Sequence, residues 1–180
     1  MLLIITGKTA SGKDTLITKI LEKYSSFRKV LTTTSRNPRE GESNGIDYNF
    51  ISQEEFQQKI NQEDFLEYVE YGDNFYGTEK LRLSSKGNLI WRIDPSMAGK
   101  AKEVFPDCIV IYITVGNRTI LERLKERGLS ASEIEKRMQD DKTIWQKYGQ
   151  NYDFIIENKP GKLDEAISQV CQIIDLKMPK

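Results

Sequence analysis

A glycine-rich segment near the start of the chain has the residues needed to bind phosphate. Thr6 to Leu16 read TGKTASGKDTL, which matches the glycine and lysine spacing of a phosphate-binding loop, G-x-x-x-x-G-K-[ST]. The glycines would let backbone N–H groups curl around an oxyanion, and the lysine would bring a positive charge to the β- and γ-phosphates. We therefore expect ATP to be bound by Gly7, Lys8, Thr9, Ala10, Ser11, Gly12, Lys13, Asp14 and Thr15.

Asp14 departs from this pattern, because the usual residue at its position is a hydroxyl that binds Mg²⁺ as a neutral ligand. An aspartate brings negative charge close to the triphosphate. A carboxylate is nevertheless a hard ligand for Mg²⁺, and an acidic side chain suits the first turn of a helix. We expect a working variant in which Asp14 and Asp94 hold Mg²⁺ directly or through water, with the relic of a lost activity as the alternative.

A polar segment after the first predicted helix has side chains suited to an acceptor that carries a phosphate. Arg36 and Arg39 flank Pro38, whose fixed φ favours a rigid turn, so two guanidinium groups can converge on one anion. Tyr48 adds a hydroxyl. A carboxylate and two hydroxyls, which would suit the adjacent N–H donors of a guanine edge, follow at Glu67, Tyr76 and Thr78. Taken singly, these pieces are also typical of surface turns and polar strand faces.

A strongly charged segment, NRTILERLKERGLSASEIEKRM, supplies further arginines. Arg123 and Arg127 lie four residues apart on one predicted helical face, and Arg137 follows on a second predicted helix. Such arginines can neutralise the charge that develops on a transferring phosphoryl group. The alternative is a solvent-exposed ladder of ion pairs with Glu122 and Glu126, worth only a few tenths of a kcal/mol per pair.

The elements that must position these residues alternate between short β-rich runs and amphipathic runs. LLIIT is followed by DTLITKILEKY, and CIVIYITV and YDFIIEN precede a last amphipathic run, LDEAISQVCQIIDLK. This alternation predicts a single three-layer α/β/α domain with a parallel central sheet. Residues 35–83 break the pattern and are predicted to form an inserted acceptor-binding lobe, and residues 116–149 a helical lid. The predicted core comprises residues 1–34, 84–115 and 150–180.

Composition excludes several classes of function. The chain has 27 basic and 27 acidic residues, so no overall positive charge favours a nucleic acid or membrane partner. It has no histidine, which excludes a histidine base, a histidine metal ligand and a Ser-His triad. Cys108 and Cys171 lie in apolar surroundings and are predicted to be core residues. The apolar start has no basic leader, so we expect a cytoplasmic protein. Its expected partners are small-molecule nucleotides, and it is expected to be a monomer or homodimer.

Three motifs together resemble the guanylate kinase family, the enzymes that move phosphate from ATP to GMP. The family's T-T-R-x-P-R-x-G-E-x-x-G-x-D-Y-x-F appears as TSRNPREGESNGIDYNF from Thr34 to Phe50, with Ser35 in place of the second threonine. The family's F-[IL]-E-[WY] and N-[YF]-Y-G-[ST] segments appear as FLEY and NFYGT. The resemblance runs from the phosphate loop to the final helix and implies an ATP:GMP phosphotransferase that also accepts dGMP and depends on Mg²⁺.

The resemblance also implies roles for individual residues. The GMP phosphate would be held by Arg36, Arg39, Tyr48 and Tyr76, and the guanine pocket would be lined by Glu67, Thr78 and Thr32. The charged segment resembles the family's lid, which implies that the residues stabilising the transferred charge are Lys13, Arg123, Arg127 and Arg137. Asn158 stands where the family has an asparagine close to the adenine, although an asparagine at a strand end is also a common turn former.

Arg92 is a second departure from the family pattern. The family usually has an acid here that helps to recognise the guanine amino group, and an arginine has only donors to offer it. Arg92 is therefore expected either to pair with Glu67 or to reach the acceptor phosphate. This leaves two alternatives to a guanylate kinase: a kinase for another monophosphate or small phosphorylated acceptor, and a non-catalytic guanylate-kinase-like binding domain.

Overall fold

A computed structural model describes residues 1–71, 74–83 and 87–178. The strands are β1 (Leu2–Gly7), β2 (Phe27–Lys29), β3 (Thr33–Thr34), β4 (Asn49–Phe50), β5 (Phe65–Tyr71), β6 (Asn74–Glu79), β7 (Asn88–Trp91), β8 (Ile109–Thr114) and β9 (Phe154–Glu157). The helices are α1 (Lys13–Lys23), α2 (Gln53–Asn61), α3 (Lys80–Leu83), α4 (Pro95–Ala98), α5 (Ala101–Val104), α6 (Asn117–Glu126), α7 (Ala131–Tyr148) and α8 (Leu163–Lys177).

The central layer is a five-stranded parallel sheet with the spatial order β2-β7-β1-β8-β9. β1 lies in its middle, so both faces of this apolar strand are buried. Leu3 and Ile5 point to the face covered by α1 and α8, while Ile4 points to the face covered by α4, α5 and the end of α7. The predicted three-layer α/β/α architecture is therefore confirmed.

A second, four-stranded sheet with the order β4-β3-β6-β5 lies mostly in the segment predicted to form the acceptor-binding lobe. Its helix α2 starts with a capping box between Ser52 and Glu55, and Phe56 stacks between Phe65 and Phe75, with ring centroids 4.3 and 5.3 Å away. The lobe's sheet begins with β3, two residues before the predicted boundary at residue 35, because Thr33 and Thr34 pair with β4 and β6. The boundary predicted at 83/84 adjoins residues 84–86, which lie outside the described residues.

The segment predicted as a helical lid consists mainly of α6 and α7. Ser130 begins α7 with a capping box, accepting from the backbone N–H of Glu133 while Glu133 accepts from Ser130 N. The last turn of α7 is part of the core, since Tyr148 is buried and a Cβ on Gly99 would overlap its ring. Cys108 and Cys171 are buried, as predicted. Within the described part of the chain, no helix is long and apolar enough to cross a membrane.

Candidate active site

The phosphate loop follows β1 at the carboxyl edge of the central sheet. At Gly7 the backbone passes so close to β8 that a Cβ atom would lie 2.0 Å from the carbonyl oxygen of Ile113. The next backbone N–H, from Lys8, donates to that same oxygen at 3.0 Å. Gly12 starts α1 with a φ of 82°, a left-handed conformation that glycine adopts without strain. The glycines of the motif are therefore required by the path of the chain.

Lys13 lies at the base of this loop, partly buried. Its Nζ is 3.4 Å from the carbonyl oxygen of Lys8. Burial and the positive charge of Arg92 lower the pKa of Lys13 to about 8, although Asp14 and Asp141 act in the opposite direction. A bound triphosphate would reverse this shift, because it supplies negative charge to the ammonium group. Lys13 Nζ thus lies beside the loop that is predicted to bind phosphate.

A small cavity of about 230 Å³ adjoins the loop and brings together residues predicted from three separate segments. Arg123 of the lid donates from Nη1 to the carbonyl oxygen of Ala10 at 2.8 Å. Asn158 is buried, and its side-chain amide donates to the carbonyl oxygen of Ser11 at 2.8 Å. Asn158 therefore supports the loop backbone from the side where ATP is expected. The cavity is lined by Ala10, Gly12, Thr15, Arg123, Arg127, Asn158, Lys159, Gly161 and Leu163.

α7 contributes a contact that the sequence did not predict. Asp141 Oδ2 accepts a hydrogen bond from the backbone N–H of Thr9 at 3.0 Å. Burial raises the pKa of Asp141, while that hydrogen bond and the charges of Lys13 and Lys8 oppose the shift. Arg137, predicted as a catalytic residue, lies one turn before Asp141 on the same helix. The only sequence signal was a pair of aspartates in a charged helix, which has no diagnostic spacing.

The predicted acceptor-phosphate residues cluster around Tyr48. The Arg36 guanidinium lies 5.5 Å from the centre of the Tyr48 ring, and the ring of Tyr76 lies 6.3 Å from it at a steep angle. Arg36 Nη2 also donates to both carboxylate oxygens of Glu42, at 2.9 and 2.8 Å. The Arg39 side chain is exposed, while its backbone N–H donates to Glu42. Glu42 thus fixes the turn between the two arginines.

The predicted guanine-binding residues meet across two antiparallel strands. Glu67 of β5 lies directly opposite Thr78 of β6, and both are buried. Trp91 Nε1 donates to Thr78 Oγ1 at 3.0 Å. Burial raises the pKa of Glu67, as does the nearby charge of Asp94, while hydrogen bonding from Thr78 opposes the shift. Thr32 lies partly exposed just before β3, and its carbonyl oxygen accepts from Asn49 N.

Arg92 connects the two halves of the site. Its Nη1 donates to the Tyr48 hydroxyl, and its Nε lies 2.7 Å from Asp14 Oδ1. Arg92 Nε has no hydrogen-bond partner among the described residues, so its contact with Asp14 is an ion pair without a hydrogen bond. Burial disfavours the charged guanidinium, but Asp14 and Tyr48 outweigh it and raise the pKa of Arg92. Of the two alternatives expected for Arg92, the pairing with Glu67 is not made, because the ion pair is with Asp14; contact with the acceptor phosphate stays a prediction.

The two residues predicted to hold Mg²⁺ differ in their surroundings. The Asp14 side chain is 66% exposed, with one oxygen turned toward Arg92. Asp94 caps α4, where its Oδ1 accepts from the backbone and hydroxyl of Ser96. The described residues contain no group of three or more acidic or cysteine side chains that would form a metal cage. This donor set fits a Mg²⁺ ion that keeps several waters and arrives with substrate phosphates.

A larger cavity, of about 1090 Å³, lies between α6, α7 and the edge strand β9. Trp145 and Ile155 form part of its apolar wall, and Asp141 and Lys8 lie on its border. The residues predicted to bind the acceptor belong to the other lobe and do not line it. The size of this cavity therefore does not identify it as the site of phosphoryl transfer.

Comparison with known proteins agrees with this geometry. A family model described as "Guanylate kinase" matches residues 1–177. The guanylate kinase of Hydrogenovibrio crunogenus is 32% identical over 177 residues, which cover 96% of this chain and 85% of that protein. The guanylate kinase of Caldanaerobacter subterraneus is 34% identical over 182 residues, covering 97% of this chain and 86% of that protein.

A crystal structure of guanylate kinase from Anaplasma phagocytophilum has the same fold. It matches with a TM-score of 0.77 and 22% sequence identity, over 100% of this chain and 86% of that one. At that identity the match supports the architecture, while the family model and the curated relatives carry the assignment. The chain therefore belongs to the guanylate kinase family, nucleoside monophosphate kinases that transfer phosphate from ATP to GMP.

Proposed function

We propose that this chain catalyses the family reaction, with ATP and GMP or dGMP as substrates and ADP and GDP or dGDP as products. The observation that carries the proposal is the position of Arg92, which contacts Asp14 at the phosphate loop and Tyr48 in the acceptor lobe. One guanidinium group therefore spans the gap between the donor and acceptor subsites. Phosphoryl transfer requires such closeness, because it depends chiefly on positioning and on compensation of charge.

In the proposed reaction a phosphate oxygen of GMP attacks the γ-phosphorus of ATP. A P–O bond to GMP forms as the bond to the β,γ-bridging oxygen breaks, and ADP leaves. Lys13 compensates charge on the β- and γ-phosphates. Arg123 and Arg127 line the adjoining cavity. Their guanidinium groups, together with that of Arg137 on α7, compensate the negative charge on the transferring phosphoryl group.

Mg²⁺ would enter bound to ATP and compensate charge on its phosphates. Asp14 is the proposed contact at the loop, directly or through a water of the ion. Asp94 Oδ1 is engaged by the cap of α4, so its contact to the ion or its waters is proposed to use Oδ2. Neither carboxylate needs to displace most of the water shell of the ion.

Guanine is the proposed base because of the position of Glu67, although Arg92 stands in place of the acid that the family uses for the guanine amino group. Glu67 offers a carboxylate to adjacent N–H donors, and Thr78 lies beside it. Arg92 raised the possibility of a different acceptor, but its guanidinium contacts Tyr48 and Asp14. We further propose that the protein acts in the cytoplasm, as a monomer or homodimer, with nucleotides as its only partners.

The test of this function is ADP release measured with Mg²⁺, ATP and, separately, GMP, dGMP, IMP or AMP. Turnover should be fastest with GMP and dGMP, and Lys13→Met should abolish it while Lys19→Met, an exposed control on the same helix, should not. Equal or faster turnover with AMP would refute guanine specificity. No turnover with any acceptor would favour the binding-domain alternative.

A further inference from the structure

Arg92 and Asp14, the two departures from the family pattern, contact each other. Arg92 follows β7 directly, and the phosphate loop follows β1, its parallel neighbour, with Trp91 in register with Ile4. The carboxyl ends of the two strands therefore meet at one edge of the sheet. The 2.7 Å separation between Arg92 Nε and Asp14 Oδ1 joins the two residues although 77 residues separate them in sequence.

The contact offsets the charge problem that Asp14 creates. An aspartate at the start of α1 would repel the phosphates of ATP, which bind the preceding loop. The Arg92 side chain is only 29% exposed, so its charge is less screened by water than that of a surface arginine. A partly buried guanidinium against the carboxylate restores the electrostatic balance that a neutral hydroxyl would have given.

The same guanidinium also orients Tyr48. Because the Tyr48 hydroxyl oxygen accepts from Arg92 Nη1, its own hydrogen remains available to donate to an anion. The Tyr48 ring is flanked by Arg36 and Tyr76, which are proposed to bind the acceptor phosphate. A hydroxyl fixed as a donor beside two guanidinium groups suits a phosphate monoester.

We propose that Arg92 is a positioning residue with two separable tasks: it neutralises Asp14 so that ATP can bind, and it orients the Tyr48 hydroxyl toward the phosphate of the acceptor. Asp14 and Arg92 then act as a pair, because the positive charge of Arg92 allows ATP to bind although an aspartate replaces the usual hydroxyl. This inference rests on the proposed function, since it assigns the two tasks to the ATP and GMP subsites.

The two tasks predict different rescue behaviour. Arg92→Met should raise both the Kd for an ATP analogue and the Kd for GMP by about tenfold, the loss of one charge-assisted contact at each subsite. Adding Asp14→Ser should return the Kd for the ATP analogue to within about threefold of the original protein, because the unneutralised carboxylate is gone and the serine hydroxyl is the Mg²⁺ ligand usual at this position. The Kd for GMP should stay high in the double variant.

Arg92→Lys separates charge from geometry. A lysine keeps the positive charge near Asp14 but cannot hold two partners with a rigid planar fork. We expect nearly unchanged affinity for the ATP analogue and weakened affinity for GMP. Arg118→Met, which removes an exposed arginine paired with Glu122 on α6, is the matched control and should leave both affinities unchanged.

The experiment is calorimetric titration of each protein with GMP and with a non-hydrolysable ATP analogue plus Mg²⁺, alongside kcat and KM. Failure of Asp14→Ser to rescue ATP binding, or unchanged GMP affinity in Arg92→Met, would overturn the inference. If the unmodified protein binds and phosphorylates GMP but the variants depart from this pattern, only the inference fails. If the unmodified protein neither binds nor phosphorylates GMP, the proposed function fails and the inference with it.

Discussion

Replacing Glu67 with glutamine should separate guanine recognition from folding. Glu67 is 8% exposed and stands opposite Thr78, where its carboxylate can accept from both N1–H and the 2-amino group of guanine. Glutamine offers one oxygen and turns an N–H₂ group toward the other donor. Loss of one charge-assisted hydrogen bond costs about 1.5–3 kcal/mol, so kcat/KM for GMP should fall roughly ten- to a hundredfold.

IMP provides an internal comparison, because it lacks the 2-amino group. Its N1–H can still donate to the glutamine oxygen, so Glu67→Gln should lower kcat/KM for IMP by only about fivefold, the difference between a charged and a neutral hydrogen bond. The assay is coupled ADP release over a range of acceptor concentrations. Glu70→Gln, an exposed position on the same strand, is the control and should leave both substrates unaffected.

Thermal unfolding shows whether the loss has a folding origin. Burial raises the pKa of Glu67, so its stabilising contribution is present below the pKa of the unfolded chain and is lost as pH rises through the folded pKa. Above the pKa of the unfolded chain, burial of this carboxyl group is therefore a cost, and Glu67→Gln should leave Tm equal or higher. Equal losses for GMP and IMP, or unchanged kcat/KM for GMP, would refute this account of the base pocket.

Two further predictions concern the phosphate loop. Gly7→Ala should lower stability by about 3 kcal/mol, or roughly 6–12 °C in Tm, because the new Cβ would lie 2.0 Å from Ile113 O. The control is Gly45→Ala, whose new Cβ would have no atom within 4 Å and which should therefore cost less. Equal losses of Tm in the two variants would contradict the predicted overlap. The pKa of Lys13 is lowered to about 8, so kcat/KM for ATP should fall as pH rises through that value and the ammonium group loses its proton. A pH profile of kcat/KM that stays flat up to about pH 9.5 would contradict the role of the Lys13 charge in ATP binding.

The parts of the site that depend on local sequence were predictable. The phosphate loop is a continuous segment, and its glycines are required by backbone geometry at Gly7 and Gly12 that other residues would strain. The central strands β1, β8 and β9 were predictable because each is an apolar run followed by an amphipathic helix. β2 was not predicted, because it is three residues long and has a single apolar residue. The contact that requires Gly7, by contrast, comes from Ile113 on β8, and the pairing of the strands likewise joins distant segments.

The remaining parts depend on contacts between distant segments. Glu67 faces Thr78 only because of the register of β5 and β6, which shifts at an irregularity between Phe65 and Glu67. β3 is two residues long, too short for any periodicity, and its partners come from elsewhere in the chain. The contact of Arg92 with Asp14 depends on neighbouring parallel strands, whose pairing no local pattern specifies.

Whether this chain is an active guanylate kinase can be tested by following the transferred phosphate itself. Phosphorus NMR of the protein with Mg²⁺, ATP and GMP should show ADP and GDP appearing in a one-to-one ratio, with no inorganic phosphate above the rate seen without protein. Inorganic phosphate appearing in place of GDP would mean that the site hydrolyses ATP without delivering its phosphate to GMP. An unchanged spectrum would contradict the assignment of this chain as an active guanylate kinase.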